Sequence, residues 1–168
     1  MIRKAVMSDL DGIMNIIKQT IEDMKAVENY QWNSDYPTRE IFAADIASGE
    51  LYLLDTNGGE IGGVICINFD EPEEYLGPKW TYEKQAVILH RLVVNSVCKG
   101  QGTGTKLMEF AQEKAAELGF DYIKSDTYST NKVMNALFRK MGYKYVGDTH
   151  FPGREFVFYC YEKELASA

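Results

Sequence analysis

Residues 93–107 read Val-Val-Asn-Ser-Val-Cys-Lys-Gly-Gln-Gly-Thr-Gly-Thr-Lys-Leu, an apolar strand that passes through a glycine-alternating turn into an amphipathic helix. Glycine lacks a Cβ, so it adopts positive φ at little cost and lets a ligand approach the main chain closely. Gly100, Gly102 and Gly104 can thus leave several N–H groups pointing into one concavity. The helix behind them adds its unbonded first-turn donors and the positive end of its dipole. Phosphate is the usual occupant of such a place. A dinucleotide fingerprint would need a third glycine where Thr105 or Leu107 stands, and a P-loop would need lysine directly after Gly104, where Thr105 stands. What remains is a cradle for some other phosphate-bearing ligand, with a plain strand-to-helix turn as the alternative.

The other reactive side chains are sparse. His90 and His150 are the only histidines, and no ligand-spaced cluster such as H-E-x-x-H occurs, so no metal is expected. Cys66, Cys98 and Cys160 are widely spaced, odd in number and without a C-x-x-C, which predicts reduced thiols. Cys98, beside the glycine turn, is either a nucleophile or a small residue packed beneath it.

Alternating and helical apolar patterns show what must hold these residues in place. A strand over 2–6 leads to a helix with a Ser8/Asp11 capping-box start and an apolar face of Leu10, Ile13, Ile17, Ile21 and Met24. A second helix runs from Thr38 to Ala47 and stops at Ser48-Gly49. Strands over 51–54 and 61–69 form a hairpin across Asn57-Gly58-Gly59. Residues 70–84, rich in acid and carrying Pro72 and Pro78, read as a solvated loop before a strand over 86–94. The helix after the glycine turn buries Leu107, Phe110, Ala111, Ala115 and Leu118 and ends at Gly119. A strand over 122–128, a short helix over 131–141 and strands over 143–146 and 155–161 complete an α/β chain with a mixed sheet. Its 168 residues, 45% of them hydrophobic, fit one domain spanning residues 1–168. The formal net charge of -7 disfavours a nucleic-acid partner, and no apolar run is long enough for a membrane span. A cytoplasmic protein is expected, and a homodimer is left open.

Two separated blocks resemble one family. Leu92-Val93-Val94 followed by Lys99-Gly100-Gln101-Gly102-Thr103-Gly104 is similar to the Q/R-x-x-G-x-G/A motif of the GCN5-related N-acetyltransferases (GNAT). Asn131-Lys132-Val133-Met134-Asn135-Ala136-Leu137-Phe138-Arg139-Lys140-Met141-Gly142-Tyr143 resembles that family's second block. The resemblance implies the acyl-coenzyme A N-acyltransferase fold, a mixed, mostly antiparallel central sheet flanked by about four helices. It implies acetyl-coenzyme A as cosubstrate, with main-chain N–H groups of Lys99, Gly100, Gln101, Gly102, Thr103, Gly104 and Thr105 on the pyrophosphate. Leu92, Val93 and Val94 would offer backbone groups to the pantetheine arm as a short added strand, Asn131 would bond the pantetheine region, and Phe138 would pack near the acetyl group.

Direct transfer to an amine needs a base and a proton source for the leaving thiolate. His90 lies on the strand of Leu92 and Val94 and, by the period of two, on their face, so it is the first candidate base; a histidine satisfied within the sheet is the competing reading. Glu83 is the second candidate. Many family members carry Tyr where this chain has Phe138, which has no proton to give, so Tyr128 or water is the candidate acid. Trp32 and Tyr36, in the loop after the first helix, are the candidate wall for the acceptor, a small-molecule or peptide amine, unless they merely anchor that loop. The function expected is an acetyl-coenzyme A-dependent N-acetyltransferase; the alternative is a non-catalytic acyl-coenzyme A binding or sensing module.

Overall fold

The computed structural model describes residues 1–166 of the chain. Its elements run β1 (Ile2–Lys4), α1 (Leu10–Ala26), α2 (Arg39–Ala47), β2 (Leu51–Asp55), β3 (Ile61–Asn68), β4 (Val87–Val94), α3 (Thr103–Glu117), β5 (Tyr122–Tyr128), α4 (Lys132–Lys140), β6 (Lys144–Thr149) and β7 (Phe158–Glu164). The strands follow the order β1-β2-β3-β4-β5-β7-β6, mixed and mostly antiparallel as expected, with four α-helices. Two compact units share the described residues: Met1–Ile67 with Arg91–Phe110, and Asn68–His90 with residues 111–166. No helix among the described residues is long and apolar enough to cross a membrane.

In the first unit β2 pairs antiparallel with both β1 and β3, across the turn at Asn57-Gly58-Gly59, where Gly59 has φ 75°. Helix α1 buries Leu10, Ile13, Ile16, Ile17 and Thr20, a stripe at three- and four-residue spacing, onto a core that includes Phe42, Leu51, Leu53, Val64 and Val93. The start of α1 differs from the expected Ser8/Asp11 box. A 3-10 turn, Met7–Asp9, comes first, and Asp9 accepts from the Val6 N–H at 2.8 Å while pairing with Arg3 at 2.9 Å. The bonds from Arg3 hold the Asp9 carboxyl below the usual carboxylate range. Asp11 instead meets Arg39 of α2 at 2.6 Å. Helix α2 starts as expected, with Thr38 Oγ1 accepting from the Ile41 N–H, and the left-handed Gly49 follows its end.

In the second unit β4 and β5 pair in parallel at Val87↔Ile123 and Ile88↔Lys124, after which Ser125 Oγ donates to the Leu89 carbonyl at 2.8 Å. Strand β7 lies antiparallel to both β5 and β6. Leu118, expected on the buried face of α3, is 52% exposed, because the helix ends at Glu117 and the chain turns away at Gly119, φ 86°. Residues 70–84 form a largely exposed polar segment, as their composition suggests, but with an anchored middle. A 3-10 turn over Glu73–Leu76 buries Tyr75, whose carbonyl accepts from Trp80 Nε1 at 2.6 Å. Lys124 pairs with Glu71 at 2.5 Å and lies 4.5 Å from the centre of the Trp80 ring.

Candidate functional site

Within the first unit, the path from β4 into α3 is pinned by one asparagine. The Asn95 N–H donates to the Gly62 carbonyl at 2.8 Å, its Nδ2 donates to the Ile61 carbonyl at 2.9 Å, and its Oδ1 accepts from the Val97 N–H. A 3-10 turn over Ser96–Cys98 follows. Gly100 and Gly102 then take φ 78° and 75°, and a Cβ on either would meet no atom within 4 Å. Helix α3 begins at Thr103, so the positive end of a helix lies directly behind the turn. Left-handed glycines, open space beside them and a helix start directly behind suit a diphosphate.

Side chains contribute less here than their types suggested. Lys99 Nζ lies 3.3 Å from Asp23 of α1, and Gln101 Nε2 donates to the Val97 carbonyl at 3.3 Å. Cys98 is buried under the turn, its carbonyl accepting from Thr103 Oγ1. The seat of α3 depends on Gly63 of β3: a Cβ there would lie 2.6 Å from the Val93 carbonyl oxygen and 3.0 Å from Leu107 Cδ1. Neither Asn95 nor Gly63 stands out in the sequence, since an asparagine after a strand and a glycine within one are common and their partners lie about thirty residues away.

Strand β4 holds the largest departure from expectation. Arg91 has φ 49°, left-handed in mid-strand, a conformation a long side chain adopts only when its surroundings impose it. Those surroundings are explicit. Its Nε and Nη2 bond the two carboxylate oxygens of Asp45, each at 2.8 Å, Nη1 donates to Tyr36 Oη at 3.2 Å, and Nη2 reaches Cys66 Sγ at 3.4 Å. Burial alone would lower the guanidinium pKa, but the Asp45 bonds outweigh it and the net shift is upward. Burial, with Asp45 nearby, pushes the Cys66 thiol up to about 12. Asp45, Glu50 and Cys66 bring possible ligand atoms within 4.8 Å of one another, yet a carboxylate occupied by arginine and a protonated thiol make this an ion-pair site.

The left-handed Arg91 interrupts the regular pleat of β4. Trp32 is only 5% exposed and packed in the core of the first unit, which favours the anchoring alternative. Tyr36 is half-buried, its hydroxyl held by Arg91.

In the second unit His90 Nε2 lies 2.8 Å from Asn68 Oδ1, and Glu83 stands exposed ahead of β4. Asn131 caps α4, its Oδ1 accepting from the Met134 N–H at 3.1 Å. Phe138 is buried, stacked 4.6 Å from the Tyr161 ring and edge-on to Tyr143. Tyr161 donates its hydroxyl proton to Asn135 Oδ1. Tyr128 is buried between Phe156 and Phe158, and its hydroxyl oxygen accepts from the Phe156 N–H at 2.9 Å.

Asp126 is a titratable group that no pattern in the sequence marks. It accepts the Tyr75 hydroxyl proton, and burial raises its pKa to about 6 despite that bond, with Glu74 adding to the rise. The unfolded chain ionises this group near 3.8, so between 3.8 and about 6 the folded state holds the proton longer and stability declines as pH rises. Replacing Asp126 by Asn should remove that decline. Thermal unfolding at about pH 4 and about pH 7 should show the variant gaining on the native chain at the higher pH; an equal difference at both would rule the titration out.

Comparison with known proteins adds four findings. A family model described as Acetyltransferase (GNAT) family matches residues 17–143. An uncharacterised N-acetyltransferase of Bacillus subtilis is 22% identical over 147 residues, 85% of this chain and 81% of its own. The crystal structure of a Staphylococcus aureus Mu50 protein described as an acetyltransferase superposes with TM-score 0.78 at 34% identity, covering 99% of each chain. A GNAT family acetyltransferase structure from Streptococcus agalactiae gives TM-score 0.88 at 22% identity, covering 99% of this chain and 96% of that one, a likeness of fold.

Proposed function

This chain belongs to the GNAT family of acetyltransferases, and from that premise we propose that it is a single acetyltransferase domain moving acetyl from acetyl-coenzyme A to a primary amine of a small molecule or peptide, by direct attack in a ternary complex. The observation that carries the reading is the pair of left-handed glycines, Gly100 and Gly102, opening onto the start of α3. Main-chain N–H groups of residues 99–105 hold the pyrophosphate, and the backbone of Leu92, Val93 and Val94 receives the pantetheine arm as an added strand. A backbone donor beside the thioester oxygen stabilises the negative charge that forms there as the amine attacks. The roles of Asn131 beside pantetheine and of Phe138 near the acetyl group rest on the family likeness.

The amine must be neutral to attack. His90 takes its proton directly or through water, the C–N bond forms, the C–S bond breaks, and the thiolate leaves to be protonated. Water is favoured over Tyr128 as that proton source, since the Tyr128 ring is buried and its oxygen is already engaged. Tyr36 remains the aromatic candidate at the acceptor side, with the negative net charge favouring cationic acceptors.

Coenzyme A release measured against polyamines, amino acids, aminoglycosides and lysine peptides tests the reading. Turnover with one class supports it. Acetyl-coenzyme A binding without turnover on any supports the binding-module alternative, which the phenyl ring of Phe138 in place of a phenol favours. His90→Ala should lower kcat by about 10²-fold with little change in the KM for acetyl-coenzyme A; an unaffected rate would hand the role to Glu83 or water.

A further inference from the structure

We infer that the Asn95 side chain sets how tightly the turn at residues 99–104 grips the diphosphate of coenzyme A, by tying that turn to the start of β3; the inference rests on the acetyl-coenzyme A reading above. All four polar atoms of Asn95 are engaged within the first unit. Its main-chain N–H donates to the Gly62 carbonyl and its own carbonyl accepts from the Cys98 N–H, each at 2.8 Å. Its side chain bridges two segments, with Nδ2 donating to the Ile61 carbonyl at 2.9 Å and Oδ1 accepting from the Val97 N–H at 3.3 Å. The amide has one orientation here, because a carbonyl only accepts and a peptide N–H only donates. Side chains of similar shape do not serve. Aspartate would set an oxygen against the Ile61 carbonyl, and leucine offers neither bond.

From Asn95 the order passes along the chain. The bond from Cys98 to Asn95, and the next from the Lys99 N–H to the Ser96 carbonyl at 3.3 Å, close two successive tight turns that deliver the backbone to Gly100. On the far side the Lys106 N–H donates to the Gly102 carbonyl at 3.0 Å, within the first turn of α3. Gly100 and Gln101, both exposed, join these anchors. Glycine has the widest backbone freedom of any residue, so a loose turn of this composition loses much entropy when a ligand fixes it, and a turn fixed beforehand binds more tightly. Asn95 does that fixing where the chain leaves β4. It is a positioning residue, standing outside residues 99–104 and acting on the diphosphate through their main chain. The pantetheine arm, proposed to lie along Leu92, Val93 and Val94, comes before Asn95 and does not depend on the tie.

Coenzyme A and pantetheine, which lacks the diphosphate, separate this role from a merely structural one. Titration of the native chain, by calorimetry or protein-observed NMR, should show tighter binding of coenzyme A. In Asn95→Ala, coenzyme A affinity should fall about tenfold, the size of one or two net hydrogen bonds, while pantetheine affinity stays within about twofold. Asn95→Ser keeps an oxygen able to cap the Val97 N–H but is too short for the Ile61 carbonyl. It should lose about threefold toward coenzyme A and nothing toward pantetheine, and it serves in place of an alanine variant whose thermal melt shows it unfolded. A folded variant of either kind with native coenzyme A affinity overturns the inference, and so does an equal loss toward both ligands, which would make Asn95 a general support of β4. A native chain that binds coenzyme A no better than pantetheine overturns the diphosphate reading of the turn instead.

Discussion

Gly102→Asp is expected to reduce acetyl-coenzyme A affinity by about 10³-fold or more while leaving the chain folded, because a carboxylate about 4 Å from a phosphate charge costs about 4 kcal/mol at an effective dielectric near 20. The backbone cost of a side chain at φ 75° is smaller, about 1 kcal/mol, and no atom lies within 4 Å of the new Cβ. Charge, not strain, dominates. Gly102→Ala carries the strain alone and separates the two effects: its affinity should fall far less than that of the aspartate variant. Calorimetric titration with acetyl-coenzyme A, beside a thermal melt of each variant, reads both quantities. Native affinity in a folded Gly102→Asp would remove the phosphate from this turn.

Asp45→Ala is expected to cost about 3–5 kcal/mol of folding stability, because it leaves the Arg91 guanidinium buried and unpaired. That is a large share of the roughly 5–15 kcal/mol by which a domain is stable. Bidentate geometry at 2.8 Å and a left-handed arginine held by it argue that the pair is integral to β4 and not an adventitious surface contact. Chemical denaturation of the variant measures the loss. Removing both charges, as Asp45→Leu with Arg91→Met, should recover much of it, since no unpaired charge remains. A loss under about 1 kcal/mol for Asp45→Ala would place the pair among the weak exposed ones.

What could be read from the chain before its structure was what local physics decides. The Asn57-Gly58-Gly59 turn, the Thr38 cap, the Gly49 and Gly119 stops and the Asn131 cap each depend on a few adjacent residues, and each is found. Glycines at 100 and 102 do take positive φ, for the same reason. The misreadings share a cause in distance along the chain. Arg91 is turned by Asp45, forty-six positions earlier, and nothing near it in sequence announces a break in alternation. Trp32 lies in a loop between two helices, where an aromatic reads as available, yet the first unit's core takes the ring. Tyr75, in a segment dominated by acids, is buried with its hydroxyl on Asp126, fifty-one residues on. At the start of α1 the Ser8/Asp11 box gives way to partners elsewhere: Asp11 pairs with Arg39, and Asp9, held by Arg3, takes the Val6 N–H.

The turn at residues 99–104 spends its side chains elsewhere, Lys99 on Asp23 and Gln101 on Val97, and leaves the proposed grip on phosphate to the main chain. A binding surface of that kind is nearly indifferent to spelling. Substitutions at positions 99 and 101 should be tolerated so long as two dihedral angles persist. What such a site asks of the chain is a backbone shape more than particular residues.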